Sequence, residues 1–260
     1  MSIVDKIKQS GSGLPPLMVL YAVEGFGKST IGSQANDALV IMPKQERGLE
    51  TLLDRGLVDP VDNVVVDTYP EFKGLIHELL TTEHGYKSVV IDTFNILVQE
   101  MLYGWVLDTQ FGGDPQQYKS WGNGKAALNK EISELMMLVG ALREKGITPV
   151  LLMHAKVTRF SQPGVGDYNR YQPYMDDSIW DAVKKAADLV LFGNFKVDVD
   201  QQGKASGGKR RMIYTEHDAC FDAKNRHGLP AVFSLGEDKS KGWATIMTVL
   251  KKAKEQTNAG

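Results

Sequence analysis

The chain has 260 residues, of which 42% are hydrophobic and 24% are charged, and its formal net charge is −2. This length and composition suit one large α/β domain with a substantial core. The charge excludes a uniformly basic nucleic-acid binder, so any basic surface must be local. The single cysteine, Cys220, excludes an intrachain disulfide and suits a reducing cytosol.

The chain is expected to have a single domain between two polar ends. Residues 1–16 combine charged side chains with a Gly-Ser-Gly segment and a Pro-Pro pair, which predicts a flexible N-terminal arm. We expect one large domain over residues 17–250 and a polar C-terminal tail over residues 251–260. Because no apolar run has the length of a signal peptide or a membrane span, we expect a cytoplasmic protein without a membrane partner.

Short, continuously apolar runs rich in Val, Ile and Leu recur along the chain. Runs without alternation predict strands that are covered on both faces. Apolar residues at helical spacing lie between several of these runs. The predicted fold class is therefore α/β, with a mostly parallel central sheet flanked by helices and with later antiparallel strands. The predicted strands are residues 17–21, 38–42, 64–66, 88–91, 148–153, 189–192, 212–215 and 231–235.

A phosphate-binding motif follows the first predicted strand. Residues 22–29 read A-V-E-G-F-G-K-S, which matches G-x-x-x-x-G-K-[ST] except that Ala22 replaces the first glycine. Small residues let successive backbone N–H groups point at phosphate oxygens, and the positive end of the following helix faces the same anion. We predict that Lys28 binds the β- and γ-phosphates of ATP and that Ser29 ligates Mg²⁺. The predicted nucleotide-binding residues are Glu24, Gly25, Phe26, Gly27, Lys28, Ser29 and Thr30.

Acidic residues follow two other predicted strands. Asp92 ends the run 88–91 and has the position of the carboxylate that helps to hold Mg²⁺; the alternative is a cap on the next helix. Hydrolysis also needs a group that positions or deprotonates water. Glu46, just past the second strand, is the preferred candidate, and Glu24 in the loop is the alternative. Glu46 could also be a solvated turn residue.

Three further polar residues are candidates for catalytic roles. His154 ends the run 148–153 and either senses the γ-phosphate or lies at the edge of the core. Lys224 and Arg226 precede a Gly-x-Pro turn, and residues at i and i+2 share a face of an extended segment. Such a pair can stabilise transition-state charge in the site of a neighbouring subunit. The alternative is an ordinary exposed basic loop.

Two segments are rich in cations: residues 156–174 also carry aromatic side chains, and residues 203–211 contain no acid. Each follows a predicted sheet strand, so both can extend from the side of the sheet that carries the ATP site. Cations that track phosphates and rings that stack on bases suit single-stranded DNA. Two flexible loops kept soluble by charge are the alternative. The candidate DNA contacts are Lys156, Arg159, Phe160, Arg170, Tyr171, Lys204, Lys209, Arg210 and Arg211.

Together these motifs resemble the Sak-type single-strand annealing group of phage RecA-like P-loop ATPases, grouped with phage AAA-type nucleotide-binding proteins. The resemblance extends over residues 16–235 and includes L-M-H at 152–154, A-D-L-V at 187–190 and A-K-N-R-H-G-L-P at 223–230. The last of these segments is also similar to the finger hairpin of hexameric helicases. The resemblance assigns phosphate and metal binding to Lys28, Ser29 and Asp92, catalysis to Glu46, sensing to His154, and action across an interface to Lys224 and Arg226.

The same resemblance implies ATP-stimulated binding and annealing of single-stranded DNA during phage recombination. It implies a ring or filament with nucleotide at the subunit interface, located in the host cytoplasm, with a single-strand binding protein as a further partner. The alternatives are a hexameric helicase-like motor, a nucleotide-dependent switch or scaffold that does not bind DNA, and a kinase of a small substrate.

Overall fold

The computed structural model describes residues 13–164, 166–200 and 202–258, so most of the predicted N-terminal arm lies outside the described residues. Within the described part, ten strands form one sheet. They are β1 (Met18–Ala22), β2 (Ala38–Pro43), β3 (Asp62–Val66), β4 (Ser88–Asp92), β5 (Thr148–Gln162), β6 (Gly166–Pro173), β7 (Leu189–Val199), β8 (Ala205–Tyr214), β9 (Lys224–Asn225) and β10 (Val232–Gly236).

The centre of the sheet is parallel and has the strand order β7-β1-β5-β4-β2-β3. Parallel pairs need crossover segments, which here are mostly helical and cover both faces. On one side, β8 and β10 extend the sheet in antiparallel orientation, and β9 pairs with the start of β7. β6 returns along the outer half of β5. The predicted fold class, α/β with a mostly parallel central sheet flanked by helices and with later antiparallel strands, is confirmed.

The helices connect the strands and form a layer on each face of the sheet. A π-helical segment, Leu97–Leu102, joins the fourth helix to the fifth. The helices of the described residues are α1 (Lys28–Ser33), α2 (Gly48–Asp54), α3 (Tyr69–Thr81), α4 (Phe94–Ile96), α5 (Tyr103–Phe111), α6 (Pro115–Lys119), α7 (Asn123–Ala141), α8 (Asp177–Ala186) and α9 (Gly242–Asn258).

An apolar core lies on each face of the sheet. In β1, Val19 and Tyr21 point into the core that includes residues of α3, α7 and α8. Met18 and Leu20 point into the opposite core, which includes residues of α1 and α9. Because successive side chains of a strand point to opposite faces, both sets are buried and the strand is apolar throughout. This double burial is why the continuous apolar runs predicted the parallel strands.

The two segments predicted as loops are antiparallel strands instead. Residues 155–162 of β5 pair with β6, and Lys156 lies opposite Gln172. Residues 205–211 belong to β8, which pairs with β7 beyond Phe192. These outer strands are polar and carry no apolar period, so their pairing could not be read from the sequence. Both hairpins extend beyond the carboxyl ends of the parallel strands, on the side that was expected.

The last helix is longer than the sequence indicated. α9 continues to Asn258, so most of the segment predicted as a tail is helical. Ala253 extends the apolar stripe of the helix and is buried. No helix of the described residues combines the length and the apolar character needed to cross a membrane.

A buried carboxylate anchors the β5–β6 hairpin. Arg170 donates a hydrogen bond to Asp222 through Nη2, at 2.5 Å, and Trp180 of α8 donates to the other carboxylate oxygen at 2.8 Å. Burial raises the pKa of Asp222, but the hydrogen bond from Trp180 and the charges of Lys184, Arg170 and His217 hold it below its usual value. Arg170 is 6% exposed, so its assignment to the DNA surface was wrong.

Replacing Arg170 by Met should therefore destabilise the protein, because Asp222 would stay buried without its shortest hydrogen bond. The expected loss is on the order of 3 kcal/mol in the free energy of unfolding, measured by urea denaturation. The matched control is Arg159→Met on the same hairpin, where the exposed pair with Asp167 should contribute less than about 1 kcal/mol. Equal losses in the two variants would contradict this assignment.

Candidate nucleotide-binding site

The predicted site residues meet at the carboxyl edge of the parallel sheet. β1 ends at Ala22, which lies level with His154 of β5. Asp92 ends β4 and lies level with Leu152 of β5. Glu46 follows β2, which pairs with β4. Since parallel strands all end at one edge, the residues that follow them face a common crevice.

The phosphate loop is a tight turn between β1 and α1. Gly25 has φ 71° and Gly27 has φ 97°, and this left-handed conformation favours glycine. Helix α1 begins at Lys28, as predicted. Glu24 and Gly25 are exposed on the loop. The ring of Phe26 is buried against Phe195 at 5.8 Å, so only the backbone of Phe26 is available to a nucleotide.

Lys28 is a buried cation at the start of α1. Its side chain is 7% exposed, and Nζ donates a long hydrogen bond of 3.4 Å to the carbonyl of Ala22. Burial lowers the pKa of Lys28, while the carboxylates of Asp92, Glu46 and Glu24 oppose that shift. A buried ammonium with one weak hydrogen bond is poorly satisfied, so an anion such as a phosphate would stabilise it.

Asp92 is the most deeply buried charge of the site. It is 1% exposed, and neither carboxylate oxygen has a hydrogen-bond partner among the described residues. Burial raises the pKa of Asp92 to about 6, and Glu46 adds to this shift, whereas the nearby Ser29 hydroxyl and Lys28 lower it. An unpaired buried carboxylate is unfavourable unless a cation satisfies it.

These residues fit Mg²⁺. Hard cations prefer oxygen ligands, and Mg²⁺ is usually held by one or two protein oxygens together with water and substrate phosphates. Ser29 and Asp92 are the residues that would hold it here. When bound, Mg²⁺ neutralises charge on the phosphate oxygens. The described residues contain no cluster of three or more His, Cys, Asp or Glu side chains suited to a metal.

Glu46 and His154 form a pair beside this metal position. Glu46 Oε2 lies 3.6 Å from His154 Nε2, and Glu46 Oε1 accepts a hydrogen bond of 3.0 Å from the Gly48 N–H. The hydrogen bond with His154 lowers the pKa of Glu46, in opposition to burial, so Glu46 is ionised at neutral pH. A Cβ placed on Gly48 would lie 3.0 Å from Glu46 Oε1 and 3.6 Å from the Ser29 hydroxyl. Gly48 therefore adjoins both the Glu46 carboxylate and the Ser29 hydroxyl, and a side chain at this position would crowd Glu46.

Two further residues contribute to the site, and the sequence did not single out their roles. Asn95 is buried, and its side-chain oxygen accepts a hydrogen bond from the backbone N–H of His154 at 3.1 Å. Arg211 donates to the carbonyl of Phe26 at 2.7 Å. The sequence signal that could have identified Asn95 is its position three residues after Asp92, the acid that ends β4. The role of Arg211 had no local signal because its partner lies 185 residues away.

Lys224 and Arg226 are not brought to this site within the same chain. Lys224 lies level with Val190 at the start of β7, whereas Ala22 lies level with Gly193. Lys224 Nζ donates to the carbonyl of Lys184 at 2.7 Å, at the end of α8. Burial and the charge of Arg226 lower the pKa of Lys224. Both cations thus lie towards the amino edge of the sheet.

Arg226 differs from Lys224 in its exposure. Its side chain is 56% exposed, and its guanidinium lies 3.7 Å from the carboxylate of Asp188. Asp188 also accepts the backbone N–H of Leu17 at 3.0 Å and pairs with Arg143 at 2.9 Å. Asp188 therefore does not depend on Arg226 alone, and the guanidinium remains accessible at the surface.

The candidate DNA contacts divide into exposed and buried sets. Arg211 is 6% exposed and bonds to backbone, so its assignment to the DNA surface was wrong, as for Arg170. The half-buried ring of Tyr171 packs against Phe192 at 5.1 Å, inside the core rather than on a surface. Lys156 is half-buried and donates to the carbonyl of Met175 at 3.1 Å. Phe160 is half-buried, and the exposed candidates are Arg159, Lys204, Lys209 and Arg210.

Residues 15–227 match the model of the AAA domain family. The chain belongs to this family. It is therefore a nucleotide-binding P-loop ATPase of the AAA type, and this part of the resemblance is confirmed. Among solved structures, it is similar to the flagellar accessory protein FlaH from Methanocaldococcus jannaschii, at 12% identity and a TM-score of 0.43, over 91% of this chain and 92% of that chain. No curated protein matches it.

In this AAA domain, Asp92→Asn should stabilise the nucleotide-free fold at high pH. Folding raises the pKa of Asp92 from 3.8 to about 6, so the ionised carboxylate destabilises the fold fully above pH 6 and not at all below about pH 4. The variant should gain up to about 3 kcal/mol over the wild type at pH 8 and nothing at pH 4, in urea denaturation at both values. A variant less stable than the wild type at pH 8 would contradict this account.

Glu46→Gln should separate binding from hydrolysis. The amide keeps the shape of the side chain but cannot accept a proton from water, so we expect hydrolysis to fall at least about 100-fold. The affinity for MgATP should stay within about threefold, because the side chain of Glu46 contacts Gly48 and His154 and not the backbone of the phosphate loop. Steady-state hydrolysis and calorimetric titration measure the two quantities. Glu24→Gln is the control, and an equal loss there would assign water activation to the loop instead.

Proposed function

We propose that this protein binds single-stranded DNA in an ATP-dependent manner, as an oligomer, and acts in phage recombination by single-strand annealing. The observation that carries the proposal is a basic cleft of about 510 Å³ on the β7–β8 hairpin, whose Arg211 bonds the phosphate loop. The cleft is lined by Lys196, Asp198, Gly207, Gly208, Lys209, Arg210 and Glu237.

The chemistry of this cleft suits a phosphate backbone. Lys209 and Arg210 are exposed, and neither has an ion pair among the described residues. Gly208 has φ 88° and open space where a side chain would point, so a strand can approach the backbone closely there, whereas Gly207, with φ 109°, packs on the carbonyl of Lys196. The two acids of the cleft are outnumbered by three cations, one of which, Lys196, pairs with Asp198 at 3.4 Å. Such binding would weaken steeply with salt.

The β5–β6 hairpin supplies a second surface for the same ligand. Phe160 and Tyr168 lie opposite each other, with ring centroids 5.5 Å apart. Arg159 is exposed on the other face of the hairpin, where it pairs with Asp167. Stacking of a base on an aromatic ring contributes about 1–3 kcal/mol. Both hairpins extend from the edge that carries the nucleotide site, which supports a DNA path along that edge.

The position of Arg226 supports an oligomer. Lys224 and Arg226 lie towards the amino edge, so the predicted contact with a nucleotide requires the site of a neighbouring copy. Arg226 is the better candidate for this contact, because it is exposed whereas Lys224 holds the end of α8. Either a ring or a filament would place such a cation at a subunit interface.

The remaining parts of the proposal follow from the resemblance to the Sak-type group. They are a single-strand binding protein as a partner and the cytoplasm of the phage host as the location. Water activation by Glu46, sensing by His154, and Mg²⁺ at Ser29 and Asp92 are the proposed roles in hydrolysis.

The deciding experiment measures ATP hydrolysis and DNA affinity with oligo-dT. We expect oligo-dT to stimulate hydrolysis several-fold and the double variant Lys209→Ala/Arg210→Ala to lose affinity by roughly tenfold or more at moderate salt, because two phosphate contacts disappear. The control is Lys251→Ala/Lys252→Ala on the exposed side of α9, with the same change in charge. Its affinity should stay at the wild-type value.

The alternatives are outcomes of the same measurements. Unchanged affinity in the Lys209→Ala/Arg210→Ala variant, with hydrolysis that does not respond to oligo-dT, would favour a nucleotide-dependent switch that does not bind DNA. ATP-driven separation of a duplex would favour a helicase-like motor. Annealing of complementary strands without unwinding supports the proposal.

A further inference from the structure

Arg211 is a buried cation that holds the phosphate loop from outside. Its Nε donates to the carbonyl of Phe26 at 2.7 Å, and its Nη1 donates to the carbonyl of Glu237 at 2.6 Å. The guanidinium also lies 5.6 Å from the ring centre of Phe195. Both hydrogen bonds go to backbone carbonyls, so Arg211 clamps the loop to the segment that precedes α9.

The bond to Phe26 fixes a peptide unit of the phosphate loop. The carbonyl of Phe26 and the N–H of Gly27 belong to the same planar trans peptide, in which C=O and N–H point in opposite directions. Holding the carbonyl towards Arg211 therefore directs the Gly27 N–H away from Arg211. In a phosphate loop, backbone N–H groups of this kind bind the phosphate oxygens. Arg211 thus sets the direction of an anion-binding dipole.

Other contacts keep the rest of this peptide unit in place. The ring of Phe26 packs so closely on β7 that a Cβ at Gly193 would lie 2.7 Å from it. A Cβ at Gly27 would lie 3.5 Å from the side chain of Lys239 and 3.9 Å from Arg211 Nε. Gly27 also has φ 97°, a conformation that glycine adopts without strain but that does not by itself fix the orientation of the Phe26–Gly27 peptide. The hydrogen bond from the Arg211 guanidinium fixes that orientation.

We propose that Arg211 is a positioning residue that keeps the phosphate loop in its nucleotide-binding conformation. The inference rests on the proposed ATP site but not on DNA binding. Arginine suits this role because its rigid fork can bond two carbonyls at once, which the ammonium of lysine cannot do in the same geometry.

The test compares Arg211→Met with Arg55→Met, which removes the same charge from an exposed side chain at the end of α2. We expect Arg211→Met to raise the Kd for MgATP by at least about tenfold, since a hydrogen bond to a charged group is lost, and Arg55→Met to stay within about twofold. Arg211→Lys should fall between them. Calorimetric titration at a temperature where circular dichroism shows all variants folded measures the affinities.

A merely structural role for Arg211 gives a different result. In that case Arg211→Met would lower the melting temperature while the folded protein bound MgATP with the wild-type Kd, and the inference would be overturned. If Arg211→Met does not fold, a wild-type Kd in Arg211→Lys overturns it equally. A wild type that does not bind MgATP would remove the proposed ATP site itself, which is a separate failure.

Discussion

Two buried charges of opposite sign, Lys28 and Asp92, are the constraint on which the rest of the site depends. Lys28 has one long hydrogen bond to a carbonyl, and Asp92 has no hydrogen-bond partner among the described residues. Neither arrangement is favourable in a dry interior unless a ligand supplies the missing partner. A magnesium nucleotide carries the anion and the cation together, so one ligand satisfies both groups.

The parallel sheet is what brings these charges together. β1 ends level with His154 of β5 and β4 ends level with Leu152 of β5, so the residues that follow β1 and β4 share one crevice with His154. The pair of Glu46 and His154 depends on the same alignment of strands, and Asn95 holds the backbone N–H of His154 by a hydrogen bond. Apolar side chains bury the strands on both faces of the sheet. This packing makes the site rigid, since densely packed interiors resist small displacements.

The antiparallel extension connects the nucleotide site to the basic cleft. Strand β8 carries Arg210 on its exposed side and, one residue later, the buried Arg211 that bonds the phosphate loop. Successive residues of a strand face opposite sides, so one strand presents a cation to solvent and another to the loop. A ligand of the cleft and a ligand of the loop would thus act on the same short segment of backbone.

The sequence by itself determined the features that depend on neighbouring residues. The phosphate loop, the helix that starts at Lys28 and the acid at the end of β4 each lie within a few residues, so composition and spacing were enough to predict them. The order of the strands in the sheet, by contrast, was not predicted, and only the fold class was. The polar strands of the two hairpins were predicted as loops because their pairing leaves no apolar period.

Only the tertiary structure decided which cations face solvent. Arg170 and Arg211 resemble Arg159 and Arg210 in the sequence, yet their partners are Asp222 and Phe26, which lie 52 and 185 residues away. Burial of a charge depends on such distant partners, because an unpaired charge is stable only in water. For the same reason the locations of Lys224 and Arg226, towards the amino edge, followed from the pairing of β9 with β7 and not from their spacing.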